Sequence, residues 1–193
     1  MTVKPASLSV LVPVFNEERT IAQVMETITK ACPDAQIVYV DDASSDRSLT
    51  ILNENARPQD KVIGQAHGGK GAAIKRALTE ATGEYAVIQD ADLEYDPVEI
   101  ALLLNKAIEH PGSAVFGSRF LRPNPNIYKR FLLGNKTLTT MMNVLYGSKL
   151  TDTYTCYKLL PLPLFQSLKL RSNGFELEAE ICAKCLRRSI PIH

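Results

Sequence analysis

The chain has 193 residues, of which 45% are hydrophobic and 22% are charged, and its formal net charge at pH 7 is +1. This length allows one domain with a substantial core, and the balanced charge gives no reason to expect a nucleic-acid partner. No long uncharged apolar window predicts a membrane span, and the amino terminus lacks the features of a signal peptide, so a cytoplasmic protein is expected.

The first part of the chain alternates strand patterns with helix patterns. Apolar runs rich in β-branched residues predict strands at residues 8–15, 36–40, 61–65, 85–89 and 113–118. Helical spacing of apolar residues predicts helices at 17–31, after 44–46, at 70–81 and from Pro97. This alternation is typical of a mostly parallel α/β sheet flanked by helices, in which ligands bind at the carboxyl ends of the strands.

The pattern changes in the last third of the chain. It predicts a long helix at 126–146, a strand-like segment at 150–160, a short helix at 161–168 and a final helix at 174–188. The long helix starts with basic residues and carries an apolar face. This face either covers the core or lies at a membrane interface.

Polar side chains stand at the predicted ends of four strands. They are Asn16-Glu17 after the first strand, Asp41-Asp42 after the second, Asp90-Ala91-Asp92 after the fourth and Arg119 after the fifth. Two carboxylates one residue apart can together hold a hard divalent cation that bridges to substrate phosphates. The alternative interpretation is that these residues are solvated turn acids and helix caps. Their shared position at one edge of a parallel sheet favours a common site for a phosphorylated donor.

The four cysteines are too few to predict a disulfide scaffold in a chain of this size. Cys182 and Cys185 form a C-x-x-C pair, but no second Cys/His pair at ligand spacing accompanies it. Positions three apart share one face of a helix, and the pair falls in the predicted final helix. We therefore interpret both residues as buried thiols of a packed helix.

Seven segments in order resemble glycosyltransferase family 2: VLVPVFNEERTI, VYVDDASSDRS, GGKGAAIKRAL, VIQDADLEYDP, VFGSRF, LTDTYTCYKL and NGFELEAEICAKCLRRS. Within that family, the chain is most similar to the polyprenyl-phosphate (dolichyl-phosphate) mannose or glucose synthases. The resemblance implies a single catalytic domain of the GT-A fold, a Rossmann-like and mostly parallel sheet flanked by helices. Residues 1–122 would form the nucleotide-sugar-binding half, and residues 123–193 a smaller acceptor-side half, one expectation being that this half is truncated.

The resemblance also implies a metal-dependent hexosyltransferase of cell-envelope synthesis, working in the cytoplasm or peripherally at the cytoplasmic face of the membrane. A sugar would pass, with inversion, from a UDP- or GDP-linked donor to a lipid phosphate, with Mg²⁺ or Mn²⁺ as cofactor. The nucleotide-binding residues would be Pro13, Phe15, Glu17, Asp42, Lys70 and Asp90, and Asp41 would support the loop of Asp42. Asp90 and Asp92 would hold the metal, and Asp92 and Arg119 would be the catalytic residues.

On the acceptor side, the resemblance places Arg119 at the acceptor phosphate and leaves Lys129, Arg130, Lys136 and Glu176 as further candidates. A phosphate acceptor needs little help from a base, since its second pKa is about 6. A saccharide hydroxyl would need a carboxylate base, and Glu176 is the candidate for it. Two alternatives therefore stay open: a family 2 enzyme of polysaccharide synthesis acting on a hydroxyl, and a nucleotide-sugar-binding module without turnover.

Overall fold

The computed structural model describes residues 7–121 and 129–193, and in the second range side chains from residue 134 onward. The strands in this part of the chain are Leu8–Val14 (β1), Gln36–Asp41 (β2), Lys61–Gly64 (β3), Tyr85–Ile88 (β4), Val115–Phe116 (β5) and Lys158–Pro161 (β6). The α-helices are Ile21–Ala31 (α1), Ser48–Asn55 (α2), Lys70–Glu80 (α3), Ile100–Glu109 (α4), Lys129–Tyr146 (α5), Leu162–Ser167 (α6) and Leu177–Arg187 (α7). A 3₁₀ turn at Pro97–Glu99 precedes α4.

The strands form one sheet in the order β3-β2-β1-β4-β6-β5. β1 pairs in parallel with β2 and β4, and β2 pairs in parallel with β3. β6 runs antiparallel to both of its neighbours, β4 and β5. The predicted α/β class with a mostly parallel sheet is confirmed, and β6 places the carboxyl-terminal part of the chain within the same sheet.

The central strands are buried on both faces, as expected for parallel strands covered by helices. Val10, Leu11 and Val12 of β1 have no exposed surface. In α1 the buried side chains are three or four positions apart, which gives the helix one apolar face toward this core: Ile21, Val24, Met25 and Ile28. The sheet is thus a rigid base for the loops that leave its carboxyl ends.

The structure shortens three predicted elements. The helix predicted from residue 17 begins at Ile21, after a turn in which the N–H of Thr20 donates to the carbonyl of Glu17 at 3.1 Å. The strand predicted at 113–118 is reduced to the two residues of β5. The strand predicted at 150–160 is reduced to β6. Its earlier N–H groups donate to side chains instead, for example Thr153 to Thr139 Oγ1 at 3.1 Å and Cys156 to the hydroxyl of Tyr95 at 3.0 Å.

The remaining elements follow the sequence pattern. The long helix is present as α5, and residues 126–128 of its predicted range lie outside the described residues. Cys182 and Cys185 are free, buried thiols on α7, which confirms their interpretation as core residues. Among the described residues, no helix is both long enough and apolar enough to cross a bilayer.

Candidate active site

A cleft of about 380 Å³ lies at the carboxyl ends of β1 to β4. Each residue that the sequence assigned to the nucleotide or the metal lines this cleft: Pro13, Phe15, Glu17, Asp42, Lys70, Asp90 and Asp92. His67, Gly174 and Phe175 line it as well, and sequence reasoning did not single them out. The expected meeting of several strand ends at one site is therefore what the structure shows.

The loops that follow β1 and β2 hold each other in place. The N–H of Asn16 donates to Ser44 Oγ at 2.9 Å, and the N–H of Glu17 donates to Ser48 Oγ at 2.7 Å. In return, Asn16 Oδ1 accepts from the N–H of Ser45 at 2.8 Å. These reciprocal bonds join two chain segments far apart in sequence, so one wall of the cleft is preorganised.

Three loops of the cleft contain a non-glycine residue in the left-handed region of backbone space. These are Asn16 after β1, Ala43 after β2 and Leu93 after β4, with φ values of 56°, 62° and 63°. Such conformations are costly for residues with a Cβ and persist where the surroundings impose them, often at functional sites. The backbone turns sharply at each strand end, and this aims the adjoining acidic residues into one space.

The carboxylate of Asp42 is fully engaged by the loop that follows β3. Oδ1 accepts from Gln65 Nε2 at 2.7 Å and from the N–H of Gly68 at 2.9 Å, and Oδ2 accepts from the N–H of Gly69 at 2.7 Å. His67 Nδ1 lies 3.0 Å from Oδ2. Burial would raise the pKa of Asp42, but these hydrogen bonds outweigh it and lower the pKa. Asp42 therefore fastens the loop that leads into α3.

One carboxylate oxygen of Asp41 lacks a hydrogen-bond partner among the described residues, whereas both oxygens of Asp42 have partners. The Oδ2 atom of Asp41 accepts from the N–H of Ser44 at 3.1 Å, whereas its buried Oδ1 has no hydrogen-bond partner among the described residues. The sequence assigned loop support to Asp41 and base recognition to Asp42. In the structure both carboxylates hold loops by accepting backbone hydrogen bonds, and Asp42 is the one of the two that lines the cleft.

Phe15 and His67 form an aromatic surface at the rim of the cleft. Their ring centroids are 4.7 Å apart, and the rings are inclined by 35°. The Phe15 side chain is half exposed, although an apolar side chain of this size is usually buried. A flat ring exposed in a polar cleft can stack on a heterocyclic base.

Negative charge accumulates around the end of β4. Desolvation in the cleft, and then the neighbouring charge of Asp90, raise the pKa of Asp92. Burial and the charge of Asp92 raise the pKa of Glu94 in the same way. A divalent cation would relieve this repulsion, and oxygen donors are the ligands that Mg²⁺ and Mn²⁺ prefer.

Asp90 and Asp92 would supply only part of a coordination shell. Among the described residues, no group of three or more His, Cys, Asp or Glu side chains converges as a metal site. A cation here would take its further ligands from substrate phosphates and water, as Mg²⁺ sites commonly do. The residues present thus fit a cation that arrives with a diphosphate.

Glu17 offers a test of this charge accumulation through pH. Burial, joined by the charges of Asp92 and Asp90, raises the pKa of Glu17. Its ionised form is therefore less favourable in the folded protein than in the unfolded chain, which costs stability at pH 7 and nothing below the unfolded pKa of about 4.3. We expect Glu17→Gln to raise the free energy of unfolding by about 0.5 kcal/mol at pH 7, a small value because solvent screens this partly exposed group.

Urea unfolding at pH 7 and at about pH 3.5 measures this effect. The gain should vanish at the lower pH, where both states carry the neutral acid. An equal gain at both pH values would show that the effect comes from packing and not from charge.

Lys70, the first residue of α3, connects the two halves of the chain. Its Nζ lies 2.7 and 2.9 Å from the two carboxylate oxygens of Asp90 and 3.0 Å from Oε1 of Glu178 on α7. Burial alone would lower the pKa of Lys70, but the two carboxylates raise it well above its usual value. Lys70 is therefore a fixed cation at the base of the cleft.

Arg119, the candidate for the acceptor side, forms a two-pronged ion pair with Asp152. Nε and Nη2 donate to the two carboxylate oxygens at 2.8 and 3.1 Å, and Nη2 also donates to the carbonyl of Tyr154 at 3.1 Å. Asn135 of α5 donates to the same carboxylate at 3.0 Å. Burial would raise the pKa of Asp152, but Arg119 and Asn135 lower it. The guanidinium is thus oriented by a buried carboxylate, and no described group accepts from its Nη1.

The other acceptor-side candidates are placed less favourably. Glu176 is exposed, and its Oε1 accepts from the N–H of Gly174 at 3.0 Å, so the structure does not bring it into the cleft. Lys136 is exposed on α5. The side chains of Lys129 and Arg130 lie outside the described residues.

The sequence matches the family model described as "Glycosyl transferase family 2" over residues 9–168. The chain belongs to glycosyltransferase family 2. This membership confirms the resemblance seen in the seven segments.

The chain is similar to two curated members of the family. The low-salt glycan biosynthesis hexosyltransferase Agl6 of Haloferax volcanii is 31% identical over 96% of this chain and 46% of its own length. An undecaprenyl-phosphate 4-deoxy-4-formamido-L-arabinose transferase of Pectobacterium carotovorum is 31% identical over 78% of this chain and 47% of its own. The chain thus spans about half the length of the curated relatives it matches.

The fold is that of GT-A glycosyltransferases. Glucosyl-3-phosphoglycerate synthase from Mycobacterium tuberculosis, solved with Mn²⁺, UDP-glucose and phosphoglyceric acid, superposes with a TM-score of 0.76. The alignment covers 95% of this chain and 66% of the synthase, at 20% sequence identity. The predicted GT-A fold is confirmed.

The glycines beside Lys70 allow two backbone segments to approach each other closely. A Cβ on Gly69 would lie 2.6 Å from the carbonyl oxygen of Asn173, and a Cβ on Gly71 would lie 2.6 Å from that of Ser172. The N–H of Ala72 donates to the carbonyl of Asn173 at 3.1 Å. The two glycines thus make room for the segment that leads into α7.

This contact predicts that Gly71→Ala destabilises the protein, although alanine is the better helix former by about 1 kcal/mol. The added methyl group must displace backbone atoms, so we expect a loss of roughly 1–3 kcal/mol, the usual range for overpacking. Thermal unfolding measures the change. Gly134→Ala in α5 is the matched control, since no atom of the described residues lies within 4 Å of the added carbon. It should stabilise or be neutral, and a stabilised Gly71→Ala variant would contradict the tight contact.

Two charged residues near the cleft escaped the sequence analysis as site residues. Lys158 of β6 and Glu178 of α7 are buried and form an ion pair of 2.6 Å. The available signal was a lysine in the otherwise apolar end of the segment YKLL, since a buried lysine requires a counter-charge. Its partner is twenty residues away, and only the packing of α7 on the sheet reveals it.

Proposed function

We propose that this chain transfers a sugar, with inversion, from a UDP- or GDP-linked donor to a polyprenyl phosphate, with Mg²⁺ or Mn²⁺ as cofactor. The observation that carries the proposal is the cleft itself. It combines an aromatic rim with an acidic pair at the ends of adjacent strands. These are the parts needed to hold a base and a metal-bound diphosphate.

On the donor side, Phe15 stacks on the base, and Asp42 lies in the same cleft beside it. Asp90 and Asp92 hold the cation, and Lys70 adds a fixed positive charge beside Asp90. The bound cation would neutralise the charge that develops on the departing nucleoside diphosphate. Mn²⁺ and UDP-glucose accompany the synthase from M. tuberculosis in its solved structure, and this supports the same type of donor here.

On the acceptor side, the glutamates before and within α7 are poor candidates for a base. A hydrogen bond from Gly174 lowers the pKa of Glu176. For Glu180, burial is outweighed by Lys184 and by backbone donors, which lower its pKa to about 2. Glu178 is held between two lysines. A hydroxyl acceptor would lack a base in this segment, whereas a phosphate dianion needs none.

Arg119 suits such an acceptor. It would position the phosphate so that one oxygen attacks the anomeric carbon from the face opposite the diphosphate. As the new carbon–oxygen bond forms, the bond to the diphosphate breaks. The relative from P. carotovorum carries undecaprenyl phosphate in its name, and this supports a polyprenyl-phosphate acceptor.

Helix α5 supplies a surface for the lipid. Leu138, Met141 and Leu145 share one helical face and are 43%, 54% and 72% exposed. Exposed apolar stripes of this kind bind at membrane interfaces, and this supports the proposal that the protein works peripherally at the cytoplasmic face of the membrane. Leu145→Glu should weaken co-sedimentation with polyprenyl-phosphate vesicles and leave nucleotide binding unchanged. Equal sedimentation of both proteins would argue that α5 faces another surface.

The decisive experiment measures release of nucleoside diphosphate by the purified chain with Mn²⁺, each of a panel of UDP- and GDP-sugars, and a short-chain polyprenyl phosphate. Release that requires the lipid phosphate supports the proposal. Release with a saccharide acceptor alone would favour a hydroxyl-directed enzyme. Tight donor binding without release under any condition would identify a binding module.

A further inference from the structure

Four charged side chains form a row of alternating sign that runs from the cleft into the core. Asp90 pairs with Lys70, Lys70 lies 3.0 Å from Glu178 Oε1, and Glu178 Oε2 lies 2.6 Å from Lys158 Nζ. Lys158 also donates to the carbonyl of Thr155. Only Asp90 and Lys70 retain any contact with the cleft, since the side chains of Glu178 and Lys158 are 2% and 0% exposed. Solvent therefore screens the inner pair very little.

In this row of charges, Lys70 occupies the carboxylate of Asp90 to which the proposed cation would bind. Lys70 Nζ is within hydrogen-bond distance of both carboxylate oxygens of Asp90. A divalent cation bound to Asp90 would compete with this ammonium and repel it. Lys70 is itself buried, and a buried ammonium that loses its counter-charge is strongly unfavourable. Glu178 is the second carboxylate that can retain it.

We propose that Glu178 and Lys158 are positioning residues of the cation site, a role that rests on the proposed function. Glu178 remains the ion-pair partner of Lys70 when a divalent cation binds Asp90. Lys158 partly neutralises Glu178 and so limits how strongly Glu178 attracts Lys70. The two inner residues touch neither donor nor cation. They act through Lys70, and they connect the acceptor-side elements β6 and α7 to the donor-side carboxylate.

Removing any charge near the site changes the affinity for a cation, so the test must isolate the effect that acts through Lys70. A double-mutant cycle does so. Mn²⁺ affinity is measured by electron paramagnetic resonance of free Mn²⁺, with UDP or GDP present. We expect Glu178→Gln to weaken Mn²⁺ binding roughly tenfold, a usual size for coupling between sites. In a Lys70→Met background, the same substitution should change the affinity less than about twofold.

Lys158→Met gives the opposite sign. Without Lys158, the whole charge of Glu178 acts on Lys70 and draws it from Asp90, so Mn²⁺ should bind more tightly. Lys158→Arg keeps the charge and should restore wild-type affinity. Glu178→Gln and Lys158→Met are both expected to lower the melting temperature. If the ion pair had only a structural role, both variants would be less stable but would bind Mn²⁺ with the same affinity.

The outcomes separate the two proposals. A wild-type chain that binds no Mn²⁺ with either nucleotide overturns the proposed function. Wild-type binding combined with an undiminished Glu178→Gln effect in the Lys70→Met background overturns only the positioning role. Where Glu178→Gln does not fold, Glu178→Asp keeps the charge with a shorter reach. It should weaken Mn²⁺ binding only when Lys70 is present, and equal weakening in both backgrounds overturns the role as well.

Discussion

Replacing Asp92 with asparagine is expected to lower kcat/KM for sugar transfer by about 10²–10³-fold, the cost typical of removing one electrostatic contact to a transition state. Desolvation and Asp90 raise the pKa of Asp92, so this carboxylate sits where negative charge is already unfavourable. Such an arrangement is stabilised only when a cation arrives. The Asp92→Asn protein should therefore lose the rise in melting temperature that Mn²⁺ with nucleoside diphosphate confers on the wild type.

The same substitution should leave the metal-free protein as stable as the wild type or slightly more stable, because it removes a repelling charge. Asp34→Asn is the matched control, since Asp34 is an exposed carboxylate just before the amino end of β2, whereas the cleft lies at the carboxyl ends of the strands. It should keep full activity and the full Mn²⁺ response. Turnover that is insensitive to Asp92→Asn would contradict the metal assignment.

Arg119→Gln is expected to have a double effect. It leaves Asp152, whose side chain is 0% exposed, without its cation, and breaking a buried pair in this way costs about 3–5 kcal/mol. It also removes the donor proposed for the acceptor phosphate. Loss of a hydrogen bond to a charged group should lower kcat/KM for the acceptor about 10- to 100-fold. Chemical denaturation and steady-state kinetics measure the two effects separately.

The double variant Arg119→Gln/Asp152→Asn separates stability from catalysis. With both charges gone, no unpaired carboxylate is buried, and most of the lost stability should return. The acceptor defect should persist, while Mn²⁺-dependent binding of the nucleotide stays close to wild type. Recovery of acceptor kinetics in the double variant would show that Arg119 serves only the fold.

The donor half of the site was predictable because its signals are local. Apolar runs such as residues 8–15 define buried strands, and the acidic residues directly after them must then lie at one edge of a parallel sheet. Asp90 and Asp92 follow from this rule without knowledge of any other contact. The resemblance to a family added roles, such as that of Arg119, which the pattern alone did not assign.

What escaped prediction depends on contacts between distant segments. Asp41 and Asp42 are adjacent in sequence, and only the packing of the β3–α3 loop shows which carboxylate that loop engages. Glu178 and Lys158 meet because α7 packs beside β6, and neither segment carries a mark of the other. The segment before β6 has an apolar, β-branched pattern that favours a strand, but hydrogen bonds from side chains replace the strand ladder there.

The position of β6 has a consequence for how the enzyme is made. β4 carries the acidic pair, yet its second neighbour in the sheet is β6, a strand from near the end of the chain. During synthesis β1 to β4 can pair early, while β4 stays an open edge and β5 waits for its antiparallel partner. Closure requires contacts between residues far apart in sequence, which is intrinsically slow. The ion pair of Lys158 with Glu178 also forms only then, so the parallel strands pair before the proposed cation site is complete.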